Sequence, residues 1–168
     1  MSRVFKFCPE CGFELNLRDL GDDKDIPWCD HCGRPWFPMF PVAVIALVYN
    51  NEKEVLLLRQ NYISSQFHNL VSGYVKPDET AESCVVREIK EETGLDVKNV
   101  QLIFTHWFER KQMMMIGFFA EAQSNNFKLS VEVDDATWVN ANEMLSLLSN
   151  RPGSTSRILA ENFLQKFK

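Results

Sequence analysis

Residues 73–95, GYVKPDETAESCVVREIKEETGL, hold six of the chain's 23 acidic residues and impose a local structure on the middle of the chain. Asp78 or Thr80 can cap a first helical turn and Gly94 can end the last, so the pattern predicts a helix from about residue 80 to residue 93. At about 100° per residue from Ile89, Val85 falls near −40° and Val86 near +60°, which sets a buried stripe, while Glu92, Glu88 and Glu91 fall near −60°, −100° and −160°. Three carboxylates therefore share one flank beside the apolar face, where unpaired charge is costly. Arg87 reaches Glu91 at i+4 and offsets part of that cost, but it does not serve all three. A hard divalent cation does: Mg²⁺ takes oxygen ligands, keeps some waters, and is completed by substrate phosphates. A solvated acidic face is the ordinary reading of a charge run, and spacing alone does not separate the two.

The cysteines constrain the N-terminal part. Cys8-Pro-Glu-Cys11 and Cys29-Asp-His-Cys32 are two CxxC pairs with 17 residues between them. The spacing predicts a four-thiolate zinc site with no open coordination position, a structural metal that folds a segment too small for its own core. A redox CxxC is the alternative. His31 inside the second pair reads as a solvated loop residue, and Cys84, inside the helix, as a packing residue.

The segment ends at Arg34-Pro35-Trp36-Phe37-Pro38-Met39-Phe40-Pro41, a stiff apolar connector. The division expected is residues 1–37 for the ribbon and 38–168 for a second domain. Residues 42–49 and 55–58 predict a hairpin around Asn50-Asn51-Glu52-Lys53. Residues 70–75 read as a short extended piece, and 97–105, 113–122 and 136–139 as strands. A short helix is expected over 143–148 and a closing helix over 154–168. The fold class expected is α+β, a mixed sheet flanked by helices as an αβα sandwich. Net charge is −5 with no Lys/Arg block, which disfavours nucleic acid as a partner through a basic surface. The apolar run at 42–49 is far shorter than the roughly 20 residues of a membrane helix. With no apolar h-region at the N-terminus, the expectation is a soluble cytoplasmic protein that does not engage a membrane.

Gly73, five residues, Glu79, seven residues, then Arg87-Glu88-Ile89-Lys90-Glu91-Glu92-Thr93-Gly94-Leu95 match every fixed position of the Nudix box, and the chain resembles a Nudix hydrolase. The resemblance implies hydrolysis of a nucleoside diphosphate linked to another group. It implies Glu88 and Glu92 as ligands of Mg²⁺ or Mn²⁺, Glu91 as ligand or base, the Gly73 carbonyl as a further ligand, and Glu79 and Arg87 as a bracing salt bridge. The ribbon followed by the Phe37-Pro38…Pro41 connector resembles the NADH pyrophosphatases of that superfamily. Their downstream metal-binding Glu corresponds to Glu132, six residues before Trp138, with Glu109, Glu121, Asp134 and Asp135 as rivals. Their substrate-selecting SQPWxFPxS array is replaced here by residues 105–113, so His106, Trp107, Phe108 and Arg110 are the substrate-binding candidates. The partners implied are a nucleotide conjugate such as NAD(H), ADP-ribose or a nucleotide sugar, NAD-capped RNA as an alternative, and a homodimer such as relatives form. A nucleotide-sensing module without catalysis is the reading from another class.

Overall fold

The computed structural model describes residues 5–167; residues 1–4 and Lys168, which fall within the expected ribbon and closing helix, lie outside the described residues. The chain divides into two compact units between Phe40 and Pro41. In the first, β1 (Asn16–Leu20), β2 (Asp23–Cys29) and β3 (Arg34–Pro35) form an antiparallel sheet in that order. So small a sheet has little apolar interior; Arg18 over the Trp28 ring and Arg34 over the Trp36 ring cover its aromatics instead.

The second unit contains β4 (Val42–Tyr49), β5 (Glu54–Arg59), β6 (Val71–Tyr74), α1 (Ala81–Thr93), β7 (Val97–Phe108), β8 (Met113–Ala122), β9 (Asp135–Asn140), α2 (Met144–Leu147) and α3 (Thr155–Lys166). Its sheet runs β7-β8-β4-β5-β9, with β6 paired antiparallel to β4, and the parallel β4–β8 pair makes it mixed. β4 is buried along nearly its whole length because both sheet faces are covered. Ala43, Ile45 and Leu47 pack into one core with Leu159 and Phe163 of α3, while Val44, Ala46 and Val48 pack into the other with Cys84, Val85 and Ile89 of α1. That is the expected αβα sandwich. Among the described residues no helix is long and apolar enough to cross a membrane.

Most expected elements appear, with shifted ends. The strand expected over 97–105 continues to Phe108, held by pairing with β8 down to Met113. The β4–β5 turn closes as its composition suggests: Asn50 Oδ1 accepts from the Glu52 and Glu54 amides, and Lys53 takes a left-handed φ of 62°. The buried stripe of α1 differs from expectation. Val86 is 42% exposed, and the buried residues are Cys84, Val85, Ile89, Glu92 and Thr93. The contact arc is rotated toward the acidic flank, because α1 packs on β6 as well as β4. Glu92 is thus inside the interface rather than beside it.

Candidate active site

Between β6 and α1 the chain makes a tight loop locked by Glu79. Its carboxylate accepts from the Lys76 amide at 3.0 Å and from Arg87 Nε and Nη2 at 2.7 and 3.0 Å. Thr80, not Asp78, is the N-cap: its hydroxyl accepts from the Ser83 amide and the Ser83 hydroxyl accepts from the Thr80 amide, a reciprocal capping box. Asp78 instead takes a left-handed φ of 61° in the turn. Gly94, at φ 71°, ends the helix by donating to the Lys90 carbonyl.

Arg87 is the hub of the site. Beyond its two-pronged grip on Glu79, Nη1 donates to Glu88 Oε1 at 2.6 Å and to Glu91 Oε2 at 2.8 Å. Of the three flank carboxylates it therefore serves two, one more than i+4 spacing suggests, because Glu88 folds back alongside it. The guanidinium holds Glu79 down to about pKa 2, helped by the Lys76 amide. Glu91 is the outer member, with its side chain 55% exposed, whereas that of Glu88 is 13% exposed.

Glu92 is left to a different partner. It is 4% exposed, Gln60 Nε2 donates to its Oε1 at 3.3 Å, and its Oε2 is buried with no hydrogen-bond partner. Burial, reinforced by the nearby charges of Glu88 and Glu132 and opposed by Gln60 and, less, by the Ser72 backbone, pushes its carboxyl up to about 8. Gly73 completes the enclosure, since a side chain there would run into the Glu88 carboxylate. An orphaned carboxylate oxygen, a second carboxylate folded across a glycine, and a donor set made wholly of hard oxygens fit Mg²⁺ or Mn²⁺. Among the described residues these carboxylates do not converge as tightly as the cysteines do, since Arg87 draws Glu88 and Glu91 to itself.

Glu132 is exposed, on a loop anchored where the Ser130 amide donates to the Glu92 carbonyl. It lies close enough to raise the proton affinity of both Glu92 and Tyr62. Two rivals are engaged elsewhere: Glu121 with Lys98 and Asn99, and Glu109 with the Trp107 indole N–H and Gln112. Asp134 Oδ2 accepts from the Asn61 amide, and Asp135 lies exposed at the start of β9. An open cleft is lined by Asn61, Tyr62, Val131, Glu132 and Asp134.

The four substrate candidates are divided by the pleat of β7. Phe108 packs into the α3-side core, and His106 shares its face, opposite Met115. Trp107 lies on the α1 face, opposite Met114, and is 38% exposed. Arg110 sits in the exposed 3₁₀ turn after the strand.

In the first unit the Cys8 and Cys32 sulfurs lie 3.9 Å apart and those of Cys11 and Cys29 3.6 Å apart, with all four within 4.8 Å. Thiolates bound at about 2.3 Å to one tetrahedral zinc would stand about 3.8 Å from one another. Gly12 and Gly33 take φ of 75° and 67° and donate to the Cys8 and Cys29 carbonyls, which turns each pair inward. Burial pushes the Cys8 thiol up, but the backbone N–H groups of Cys11 and Glu10 outweigh it and bring it to about 6. His31 stacks on Phe13 with its Nδ1 4.0 Å from the Cys32 sulfur and is not among the four clustered ligands, and Cys84 is fully buried on the core-facing side of α1.

Sequence reading missed Gln60 and Tyr62. Leu56 and Leu58 face the α1-side core, so the two-residue period makes position 60 an inward one, and a polar residue there was the available signal.

Comparison with known proteins agrees with this geometry. The NUDIX domain family matches residues 39–160. NAD-capped RNA hydrolase NudC of Vibrio atlanticus is 30% identical over 165 residues, covering 96% of this chain and 58% of that protein. The protein of the same name from Pseudomonas aeruginosa is 30% identical over 166 residues, 98% and 58% respectively. The chain thus spans somewhat more than half the length of these curated relatives. A NUDIX hydrolase from Nitrosomonas europaea shares the fold with a TM-score of 0.75 at 20% identity, covering 96% of this chain and 92% of that one. With its box glycine, the Glu79–Arg87 salt bridge and the carboxylates of α1 in one place, and that match running through nearly the whole second unit, the chain belongs to the NUDIX domain family.

Proposed function

We propose that the chain is a divalent-metal-dependent hydrolase that cleaves the pyrophosphate bond of a nucleoside diphosphate conjugate, NAD(H)-like in preference. The observation that carries this reading is Glu92, a buried carboxylate with one oxygen bare, beside Glu88 folded across Gly73. A carboxylate is buried unpaired at a cost of several kcal/mol, and a bound cation removes that cost. Glu88, Glu92 and the Gly73 carbonyl, with Glu91 and Glu132 at the open side, would hold Mg²⁺ or Mn²⁺. When bound, such an ion neutralises pyrophosphate oxygens and lowers the pKa of a water.

The chain's own groups supply the rest. Arg87 engages Oε1 of Glu88 and Oε2 of Glu91, which holds both carboxylates beside the site, and a bound cation would draw them inward. A carboxylate of this group takes the proton of the attacking water as the P–O–P bridge breaks. Trp107, on the α1 face, offers a ring for a nucleobase, and Arg110, in the exposed turn after β7, is assigned to substrate phosphate or ribose, whereas His106 lies on the opposite face of the strand. Phe108, packed in the α3-side core, anchors the end of the strand that carries Trp107. The ribbon is assigned one structural Zn²⁺ on Cys8, Cys11, Cys29 and Cys32.

The name shared by the curated relatives favours a second substrate of the same chemistry, the NAD cap of RNA. The test is turnover of NADH, NAD⁺, ADP-ribose, UDP-glucose and a 5′-NAD-capped oligonucleotide with Mg²⁺ or Mn²⁺, wild type against E92Q. Release of mononucleotide from NADH, lost in E92Q, is expected. Faster cleavage of the capped oligonucleotide would make RNA the substrate, and no turnover of any compound would leave a nucleotide-binding module.

A further inference from the structure

We propose that Gln60 is the positioning residue for Glu92 and that Tyr62 holds Gln60 in place. The inference deepens the hydrolase reading and rests on it. Gln60 is 1% exposed, at an inward position that Leu56 and Leu58 fill with hydrocarbon. Its amide nitrogen donates to Glu92 Oε1 and to the Tyr62 hydroxyl, each at 3.3 Å, which uses both N–H groups. Its own oxygen is buried without a partner. A leucine would avoid that unpaired oxygen, so stability alone does not account for the glutamine.

What the amide supplies is orientation without neutralisation. Arg87 engages Glu79, Glu88 and Glu91, and a guanidinium on Glu92 as well would compete with any cation for the same charge. A neutral donor fixes one oxygen of Glu92, stops the carboxyl group rotating, and leaves the other oxygen open to a cation. Tyr62 connects this arrangement to the surface: it is 69% exposed in the open cleft, while its hydroxyl accepts from the buried amide. A group entering the cleft thus meets a residue one hydrogen bond from Gln60.

The test is Mn²⁺ binding to the full chain without substrate, with bound and free ion separated by electron paramagnetic resonance, for wild type, Q60L and Y62F. E92Q marks the part of the signal that belongs to this site. Q60L is expected to weaken that part about 10- to 100-fold, as removal of partners behind metal ligands does. Y62F is expected to weaken it about two- to tenfold, the worth of one neutral hydrogen bond. A purely structural role for Gln60 predicts a lower thermal midpoint for Q60L in EDTA with unchanged Mn²⁺ affinity. Wild-type affinity in Q60L overturns the proposal and leaves the hydrolase reading standing. Absence of an E92Q-sensitive Mn²⁺ signal in wild type overturns both. Should Q60L fail to fold, Y62F decides, because an exposed ring loses only its hydroxyl, and wild-type affinity there overturns the proposal.

Discussion

A Cβ on residue 73 would lie 2.0 Å from Cδ of Glu88, so the Glu88 carboxylate occupies the volume that any side chain at Gly73 would fill. The atom in the way is the end of a flexible side chain, so G73A folds, but Glu88 must move. A displacement of about 1 Å in catalytic geometry costs on the order of 100-fold in rate. G73A is therefore expected to keep a thermal midpoint near that of wild type and to lose about that factor in kcat. Steady-state kinetics beside calorimetry check this; wild-type kcat would show that Glu88 has no fixed role.

Glu92 gives the metal-free protein an unusual pH response. Its folded pKa of about 8 lies above the ordinary 4.5, so the folded state holds this proton more tightly than the unfolded chain does. Its effect on stability is most favourable below pH 4.5 and is lost as pH rises toward 8, at about 1.4 kcal/mol per unit. In EDTA at pH 8, E92Q is expected to be more stable than wild type, on the order of a few kcal/mol, while being inactive. Chemical denaturation across pH 5 to 8 measures it, and parallel wild-type and E92Q curves would refute it.

Glu79 acts in the opposite sense. Arg87 depresses its carboxyl from 4.5 to about 2, so its contribution is complete above pH 4.5 and is lost as pH falls toward 2. E79Q is expected to lower stability at neutral pH and to flatten the acid limb between those two values. Acid titrations of both proteins followed by circular dichroism would show it.

The ribbon has little core of its own, so its order is expected to depend on the four sulfurs and their metal. Chelation at low nanomolar free zinc, or C11S, is expected to open residues 5–40 to protease while the second unit keeps its unfolding transition, since the two units are separately compact. Limited proteolysis with mass mapping reads this directly.

Trp107 and Phe108 are adjacent in sequence and differ in surroundings. F108A removes a ring packed on the α3-side core and is expected to cost about 2–4 kcal/mol, below the range for a fully buried ring because Phe108 is only partly buried. W107A is expected to raise KM several-fold with a smaller change in thermal midpoint. Equal effects of both on stability and none on KM would remove Trp107 from the substrate site.

Box, cysteine pairs and strand runs could be read directly because each is local. CxxC spacing places two sulfurs on one turn, helical period places Glu88 and Glu92 on one flank, and Gly94 ends α1 whatever packs against it. The error at Val86 arose because period gives the shape of an apolar stripe but not the direction from which the sheet approaches.

What the sequence by itself determined, then, is chemistry carried within one turn or one strand: the metal-ligand types, the caps, and the unbroken apolar run that buries β4 on both faces. Only the tertiary structure decided which partners those groups meet. Gln60 lies 32 positions from Glu92 and joins it because β5 and α1 meet across one core. Phe108 turns inward while Trp107 turns to the α1 face because pairing with β8 extends the pleat past the expected strand end. Hydrogen bonds and burial between distant segments depend on how sheet and helices stack, and no local period encodes that.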